Sequence, residues 1–180
     1  MKIETVTTQT TISADRFTLR PMRRSDAGLV AHYCGDARVA EASRNIAHPY
    51  PPGAAEAMIE RALDPERRED VWVMDGEGHG LSEVLGLITL TALERDQSEI
   101  TYWVAPAFWK TGLASEGVAA IAAANPHGAR HMFAAVFQDH PGTARVLTNC
   151  GFDYLGDAEE FCLARKTVRP TWTYMMKLAA

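Results

Sequence analysis

The chain has 180 residues, enough for one compact domain with a buried core and short for two. Its residues are 47% apolar and 23% charged, which excludes disordered, collagen-like and disulfide-framework chains. The net charge of −5 argues against a general affinity for nucleic acid, because the basic residues are scattered instead of clustered.

The cysteines and the hydropathy pattern bear on location and metal binding. Cys34, Cys150 and Cys162 are widely spaced and lack a Cys-x-x-Cys or matching His pattern, so neither a zinc site nor a disulfide framework is indicated. The N-terminal residues lack the apolar stretch of a signal peptide, and no later apolar run is long enough to cross a bilayer. We therefore expect a cytoplasmic protein with reduced thiols and no metal.

The first third of the chain predicts one strand followed by two helices. Residues 1–14 are polar and are predicted to be a tail or edge strand that precedes the main domain, residues 15–180. RFTLRPM, residues 16–22, alternates as a half-buried strand does, and Ser25 is a candidate N-cap for the helix after it. A second helix is predicted after the breaker PYPPG, residues 49–53.

The rest of the chain predicts six strands and two helices. DVWVMD and SEVLGLITLTAL flank the glycine-rich loop GEGHG, SEITYWVA is the next strand, and an alanine-rich helix follows. ARHMFAAVF is a strand, Pro141 to Asn149 a helix capped at Gly151, and the last two strands are FDYLGDAEEFCL and PTWTYMMKL. The order β α α β β β α β α β β predicts an α/β domain with antiparallel hairpins in a mixed sheet.

The segment YWVAPAFWKTGLASEGVAAI, residues 102–121, is the strongest functional signal. It runs from a strand through a loop that contains Gly112 into a helix. The first N–H groups of a helix lack intrahelical acceptors and lie at the positive end of its dipole, so this loop can bind a diphosphate. Lys110 adds a charge and Thr111 a hydroxyl, although an ordinary turn before a helix explains the same residues.

Three blocks of the sequence resemble the GNAT superfamily of N-acyltransferases, in particular its RimJ/RimL branch. EITYWVAPAFWKTGLASEG resembles the acetyl-CoA-binding motif, and FQDHPGTARVLTNCGF resembles the second signature, Asn-x-x-Ser-x-Arg-Val-Leu-x-x-x-Gly-Phe. RFTLRPMRRSDAGLV is similar to the first strand and helix of that branch. The resemblance implies a single α/β domain, a mostly antiparallel mixed sheet with a splayed strand pair, flanked by helices.

The resemblance also implies a binding site for acetyl-CoA, with pantetheine on strand backbone and diphosphate on the loop amides. Trp109 and Lys110 depart from the usual Arg or Gln and Gly of the family, and His140 and Thr143 stand for the usual Asn and Ser. The implied cofactor-binding residues are Trp103, Val104, Ala105, Trp109, Lys110, Thr111, Gly112, Leu113, Ala114, Ser115, His140 and Thr143.

Acetyl transfer to an amine needs a group that removes a proton from the nitrogen. Glu99 matches the position where several relatives carry a glutamate base, but an exposed glutamate at the start of a strand is an equally simple interpretation. Leu147 stands where other GNAT branches carry a tyrosine thought to protonate the departing thiolate. His32 and His48 are candidate substrate-binding residues, because the early helices and the loop between them line the acceptor pocket in relatives.

These features leave three functional hypotheses open. The first is an N-acetyltransferase that acts on a primary amine, either a protein N-terminus or a small molecule. The second is a non-catalytic module that binds or senses acyl-CoA. The third is an unrelated α/β protein whose glycine loop is only a turn. The sequence does not decide between a monomer and a homodimer.

Overall fold

A computed structural model describes residues 9–179, which form one eight-stranded sheet with helices on both faces. The strands are β1 (Ile12–Ser13), β2 (Thr18–Pro21), β3 (Glu69–Asp75), β4 (Gly86–Leu93), β5 (Gln97–Val104), β6 (His131–Phe137), β7 (Asp153–Cys162) and β8 (Thr167–Lys177). The helices are α1 (Ala27–Cys34), α2 (Ala37–Glu41), α3 (Ala54–Leu63), α4 (Leu113–Ala124) and α5 (Pro141–Asn149).

The sheet separates two hydrophobic cores. Successive side chains of a strand point to opposite faces, and β3 shows this alternation with Trp72 in one core and Val73 in the other. The core that contains Trp72 is completed by α4 and α5, with Ile121 and Leu147 fully buried. The second core is completed by α1, α2 and α3. Both faces of the sheet are therefore covered, as the α/β pattern predicts.

The strand order is β1-β2-β3-β4-β5-β6-β8-β7, and every neighbouring pair is antiparallel except β5 and β6. The parallel pairing of β5 with β6 covers three residue pairs and ends at Glu99 opposite Phe133. Beyond that point β5 stays paired with β4 through Val104, and β6 stays paired with β8 through Phe137. The two central strands therefore diverge, which confirms the expected splayed pair.

The observed elements follow the predicted order with two differences, the helix α2 and the N-cap at Ser25. The five-residue helix α2 was not predicted, because it is shorter than the periodicity that reveals a helix; Asp36 caps it by accepting a hydrogen bond from the amide of Arg38. Ser25 is not an N-cap, because it lies inside a 3₁₀ turn that precedes α1. Within the polar segment 1–14, residues 12–13 form the edge strand β1, and residues 1–8 lie outside the described part of the chain.

Two other expectations concern helix ends and membrane spans. The helix predicted from Pro141 to Asn149 has those bounds, and Gly151 follows it with a φ of 90°, the left-handed conformation that favours glycine. Among residues 9–179, no helix combines the length and the apolar composition that a membrane crossing requires.

Candidate active site

The loop between β5 and α4 has the backbone of an anion-binding turn. Gly112 has a φ of 80° and Lys110 a φ of 62°, so two residues of this short loop are left-handed. No backbone amide from residue 110 to residue 115 donates a hydrogen bond to any residue between 9 and 179. These amides lie at the N-terminus of the 12-residue helix α4, where the helix dipole favours an anion.

Lys110 is left-handed at the position where the family resemblance implies a glycine. A residue with a side chain adopts positive φ at an energetic cost that glycine avoids. The backbone of this loop is thus left-handed at residue 110 although the residue there is not glycine. The hydroxyl of Thr111 donates to the carbonyl of Phe108, so its proton is used inside the loop and is not directed at a ligand.

Arg16, which the sequence analysis did not single out, braces this loop. Its Nε lies 2.7 Å from Oε2 of Glu116 in the first turn of α4, and its backbone amide donates to Oε1 of the same carboxylate over 2.8 Å. Its Nη1 donates to the carbonyl of Thr111 over 2.9 Å. No sequence signal pairs two residues that are 100 positions apart, so only the fold reveals this contact.

Trp109 anchors the loop to β5. Its indole Nε1 donates to the carbonyl of Val104 over 2.7 Å, and the guanidinium of Arg38 lies 5.6 Å from the centre of its ring. The amide of Ala105 donates to the carbonyl of Leu85. Two backbone groups from the segment expected to bind pantetheine are therefore already hydrogen-bonded within the protein.

Glu99 lies at the apex of the splay, in the last residue pair that joins β5 to β6. From this apex opens a cavity of about 550 Å³, walled by the segment from Ala42 to Ile46, by α3 and by the diverging strands. Glu99, Trp103 and Thr143 are the predicted site residues that line the cavity. The structure thus brings the proposed base and part of the proposed pantetheine site to one place.

Arg44, also missed by sequence analysis, binds Glu99 in this cavity. Its Nη2 lies 2.5 Å from Oε1 of Glu99, and its Nη1 lies 2.7 Å from Oε2 of Glu160 on β7. Burial alone would lower the pKa of Arg44, but the hydrogen bonds that it donates to the two carboxylates raise it, so the guanidinium stays charged. Oε2 of Glu99 accepts no hydrogen bond from the part of the chain that the structure describes.

Tyr102 joins β5 to α5, on the face of β5 opposite to that of Glu99. Its hydroxyl donates to the carbonyl of Thr143 in the first turn of α5 over 2.9 Å. Burial raises the pKa of Tyr102, so the phenol is neutral and keeps its proton at neutral pH. Leu147, in the position of the family tyrosine, is fully buried in the core.

The remaining predicted residues lie at various distances from the cavity. His140 is the N-cap residue of α5, and its Nε2 lies 3.8 Å from the carboxylate of Asp139. Ser115 accepts a hydrogen bond from the thiol of Cys150 through its carbonyl. His32 is exposed on α1, and His48 is half-buried between α2 and α3; neither belongs to the cavity lining. Their proposed contact with substrate therefore stays a prediction.

Metal ligands are a separate matter. In the part of the chain from residue 9 to residue 179, no group of three or more His, Cys, Asp and Glu side chains is arranged to hold a metal ion. The three cysteines, Cys34, Cys150 and Cys162, are free thiols.

Comparisons with known proteins add a family and several structural neighbours. A family model described as "Acetyltransferase (GNAT) domain" matches residues 16–153. No curated protein matches the sequence.

Three solved structures illustrate the likeness in fold. The ribosomal-protein-S5-alanine acetyltransferase of Vibrio fischeri is 15% identical with a TM-score of 0.75, and the match covers 94% of this chain and 97% of that chain. Mycobacterium smegmatis RimJ in complex with CoA-disulfide is 17% identical with a TM-score of 0.78, covering 93% and 87%. The spermidine N-acetyltransferase of Vibrio cholerae, in complex with CoA and spermine, is 15% identical with a TM-score of 0.74, covering 91% and 96%.

Proposed function

Because this chain belongs to the GNAT acetyltransferase family and is therefore an acetyl-CoA-dependent acetyltransferase, we propose that it acetylates a primary amine by direct attack of the amine on the thioester. The acceptor is a protein N-terminus or a small-molecule amine. Acetyl-CoA, when bound, supplies the activated acetyl group and a thiolate leaving group. The residues of this chain bind and orient that group and remove a proton from the acceptor.

The cofactor residues fit a diphosphate and an extended pantetheine. The unpaired amides of residues 110–115 are suited to hold the diphosphate, with Lys110 adding positive charge. The gap between β5 and β6 is suited to the pantetheine, because each splayed strand leaves one edge without a strand partner. This arrangement directs the thioester toward the apex of the splay.

Glu99 is the proposed base. The amine nitrogen forms a bond to the thioester carbonyl carbon, the carbon–sulfur bond breaks, and a proton of the nitrogen passes to Oε2 of Glu99 directly or through water. The electron pair of the broken bond leaves with the sulfur, which takes up a proton. Arg44 holds Oε1, so the carboxylate has a fixed orientation and one oxygen available to the acceptor.

One observation carries this proposal more than any other. Glu99 is the last residue of β5 that pairs with β6, and it lines the cavity that opens at that point. A carboxylate at the apex lies beside the position where the end of a cofactor bound between the two strands would lie. An exposed strand-end glutamate, the alternative interpretation, would have no such cavity beside it.

The test is the variant Glu99→Gln, which keeps the shape and removes the base. We expect kcat to fall by about 10²-fold or more, the usual scale of lost general-base catalysis, with little change in coenzyme A affinity. Thiol release from acetyl-CoA with a panel of amines measures the first quantity, and calorimetry measures the second. Glu160→Gln is the matched control, because it removes the other carboxylate that binds Arg44.

The same experiment separates the alternatives. A wild-type protein that binds coenzyme A but acetylates no amine would be an acyl-CoA-binding or sensing module. A Glu99→Gln variant that retains full turnover would assign proton removal to another group. Equal losses in both variants would attribute the effect to the disturbed position of Arg44.

The RimJ/RimL branch is part of the proposal, and it is supported by the sequence signatures and by the fold likeness to Mycobacterium smegmatis RimJ. The names of two neighbours suggest acceptor classes, an alanine of ribosomal protein S5 and the polyamine spermidine. A cytoplasmic location and the choice between a monomer and a homodimer stay predictions.

A further inference from the structure

Arg44 in the cavity wall binds two carboxylates, those of Glu99, which also lines the cavity, and of Glu160 on β7. Arg44 lies between Glu99 on β5 and Glu160 on β7, at 2.5 Å and 2.7 Å, and all three side chains are about three-quarters buried, with exposed fractions of 21%, 26% and 27%. Hydrogen bonds between ionised partners at these distances are among the strongest that side chains form. Glu99 and Glu160 thus form a cation-binding site, and the guanidinium of Arg44 occupies it.

The charge of this cluster limits what the cavity accepts. Two carboxylates and one guanidinium leave one negative charge, which balances one ammonium group, that of the reacting amine. A second ammonium group on the acceptor would lie next to the guanidinium of Arg44. Without Arg44, the same ammonium group would lie next to a carboxylate. Like charges brought together in a partly desolvated site discriminate strongly between ligands.

The other charged residues of the cavity wall do not cancel the positive charge of Arg44. Arg61 and Arg68 line the cavity together with Asp64 and Glu69, so cations and anions balance there. Arg67, which also lines the cavity, binds Asp70 at 2.8 Å. The cluster of Arg44, Glu99 and Glu160 therefore determines which acceptors the cavity binds.

Arg44 is held in place by the hairpin of β7 and β8. Its carbonyl accepts a hydrogen bond from the amide of Leu163 over 3.0 Å, in the turn of that hairpin. From the same turn, Arg165 donates to the carbonyl of Glu41 over 2.8 Å and binds Asp139. The segment that carries Arg44 is thus fixed at Glu41 and at Arg44 itself, and a substrate cation would have to displace a preorganised guanidinium.

We infer that Arg44 is a specificity-determining residue that fills a built-in cation subsite and so excludes diamines and polyamines. The acceptor has one reacting amine and a neutral or anionic group where a polyamine has its second nitrogen. The inference names the substrate class of the proposed function and rests on it for turnover, but the cation subsite itself can be tested by binding alone.

The experiment compares three four-carbon amines that differ only at the far end: butylamine, 1,4-diaminobutane and 4-aminobutanoate. The proteins are wild type, Arg44→Gln and Arg44→Lys, with Arg61→Gln as the matched control that removes one charge from the same cavity wall. Calorimetry in the presence of coenzyme A measures binding, and thiol release from acetyl-CoA measures kcat/KM. Thermal unfolding verifies that each variant is folded.

We expect wild type to bind 1,4-diaminobutane more weakly than butylamine. Arg44→Gln should raise the affinity for the diamine at least about tenfold relative to butylamine, because the two carboxylates then carry two negative charges for its two ammonium groups. Arg44→Lys and Arg61→Gln should keep the wild-type preference. Adding Glu160→Gln to Arg44→Gln should abolish the gain, which ties it to the vacated pair of carboxylates.

The outcomes separate the inference from the proposed function. If wild type prefers the diamine, or if Arg44→Gln leaves the ratio of the two affinities unchanged, the inference is overturned even when turnover is normal. If the affinities shift as expected and no amine is acetylated, the cation subsite stands and the proposed acetyl transfer fails. A shift of the same size in Arg61→Gln would reduce the effect to the overall charge of the cavity and would also overturn the inference.

Discussion

At the scale of single residues, backbone conformation decides how the loop before α4 works. Gly112 is left-handed, and a Cβ built on it would lie 3.4 Å from Nη2 of Arg16. Lys110 accepts the same conformation at a cost, because it has a side chain. The left-handed backbone therefore favours glycine at 112, whereas an added Cβ would make only an ordinary contact with the flexible end of Arg16.

Gly112→Ala should lower the free energy of unfolding by about 1–2 kcal/mol, the cost of a side chain in the left-handed region. Urea denaturation measures this change. Gly142→Ala is the control, because Gly142 lies in the first turn of α5 with a negative φ and open space at its Cβ position. Alanine at 142 should be neutral or slightly stabilising; an equal loss at both positions would contradict the explanation.

At the scale of secondary-structure elements, a buried ion cluster joins β2 to the end of β3. Arg20 on β2 binds Asp75 at 2.6 Å and Asp26, in the 3₁₀ turn before α1, at 2.8 Å. All three residues are buried. Burial alone would raise the pKa of Asp75, but hydrogen bonds from Arg20 and from the amide of Glu77 hold it below its usual value.

This lowered pKa predicts a pH-dependent contribution to stability. A carboxylate whose pKa is lower in the folded than in the unfolded state stabilises the fold above its unfolded pKa of about 3.9, and the contribution disappears as pH falls through the folded value. Asp75→Asn should therefore cost about 3 kcal/mol at pH 7, because Arg20 loses one charged partner, and progressively less below about pH 4.

Urea denaturation of wild type and Asp75→Asn from pH 7 to pH 2.5 measures this difference. Asp153→Asn serves as the control, since Asp153 is exposed on β7 and has no ion pair among residues 9–179. A difference between wild type and Asp75→Asn that stays constant down to pH 2.5 would contradict the proposed origin.

At the scale of the whole molecule, the sheet consists of two parts joined by few strand contacts. Strands β1 to β5 form one part and β6, β8 and β7 the other, and only three residue pairs connect β5 with β6. Arg44 and Tyr102 add contacts across the join, from β5 to β7 and to α5. A ligand that occupies the gap between the strands would stabilise the folded molecule by binding only its folded state.

Coenzyme A at about 100 times its Kd should stabilise the fold by about 2.7 kcal/mol, which corresponds to a rise in Tm of about 5–10 °C for a chain of this length. Differential scanning calorimetry measures the shift. Gly112→Glu should lose the shift at the same concentration, because it places bulk and negative charge beside the loop amides. An unchanged Tm for wild type would contradict cofactor binding in the gap.

The sequence by itself determined the order of most elements and the family. Apolar periodicity distinguishes strands from helices locally, and Gly112 and Gly151 mark turns because few other residues adopt positive φ. The motif from Glu99 to Gly117 also indicated the cofactor loop, because all of its residues lie within one short stretch of the chain.

Only the tertiary structure decided which side chains meet at the site. Arg16 reaches Glu116 across 100 positions, and Arg44 reaches Glu99 across 55 and Glu160 across 116. Periodicity tells which face of an element is buried, but it does not specify which distant element packs there, because the register between them is set by the packing of the whole core. The charge that faces the acceptor is therefore a property of the fold.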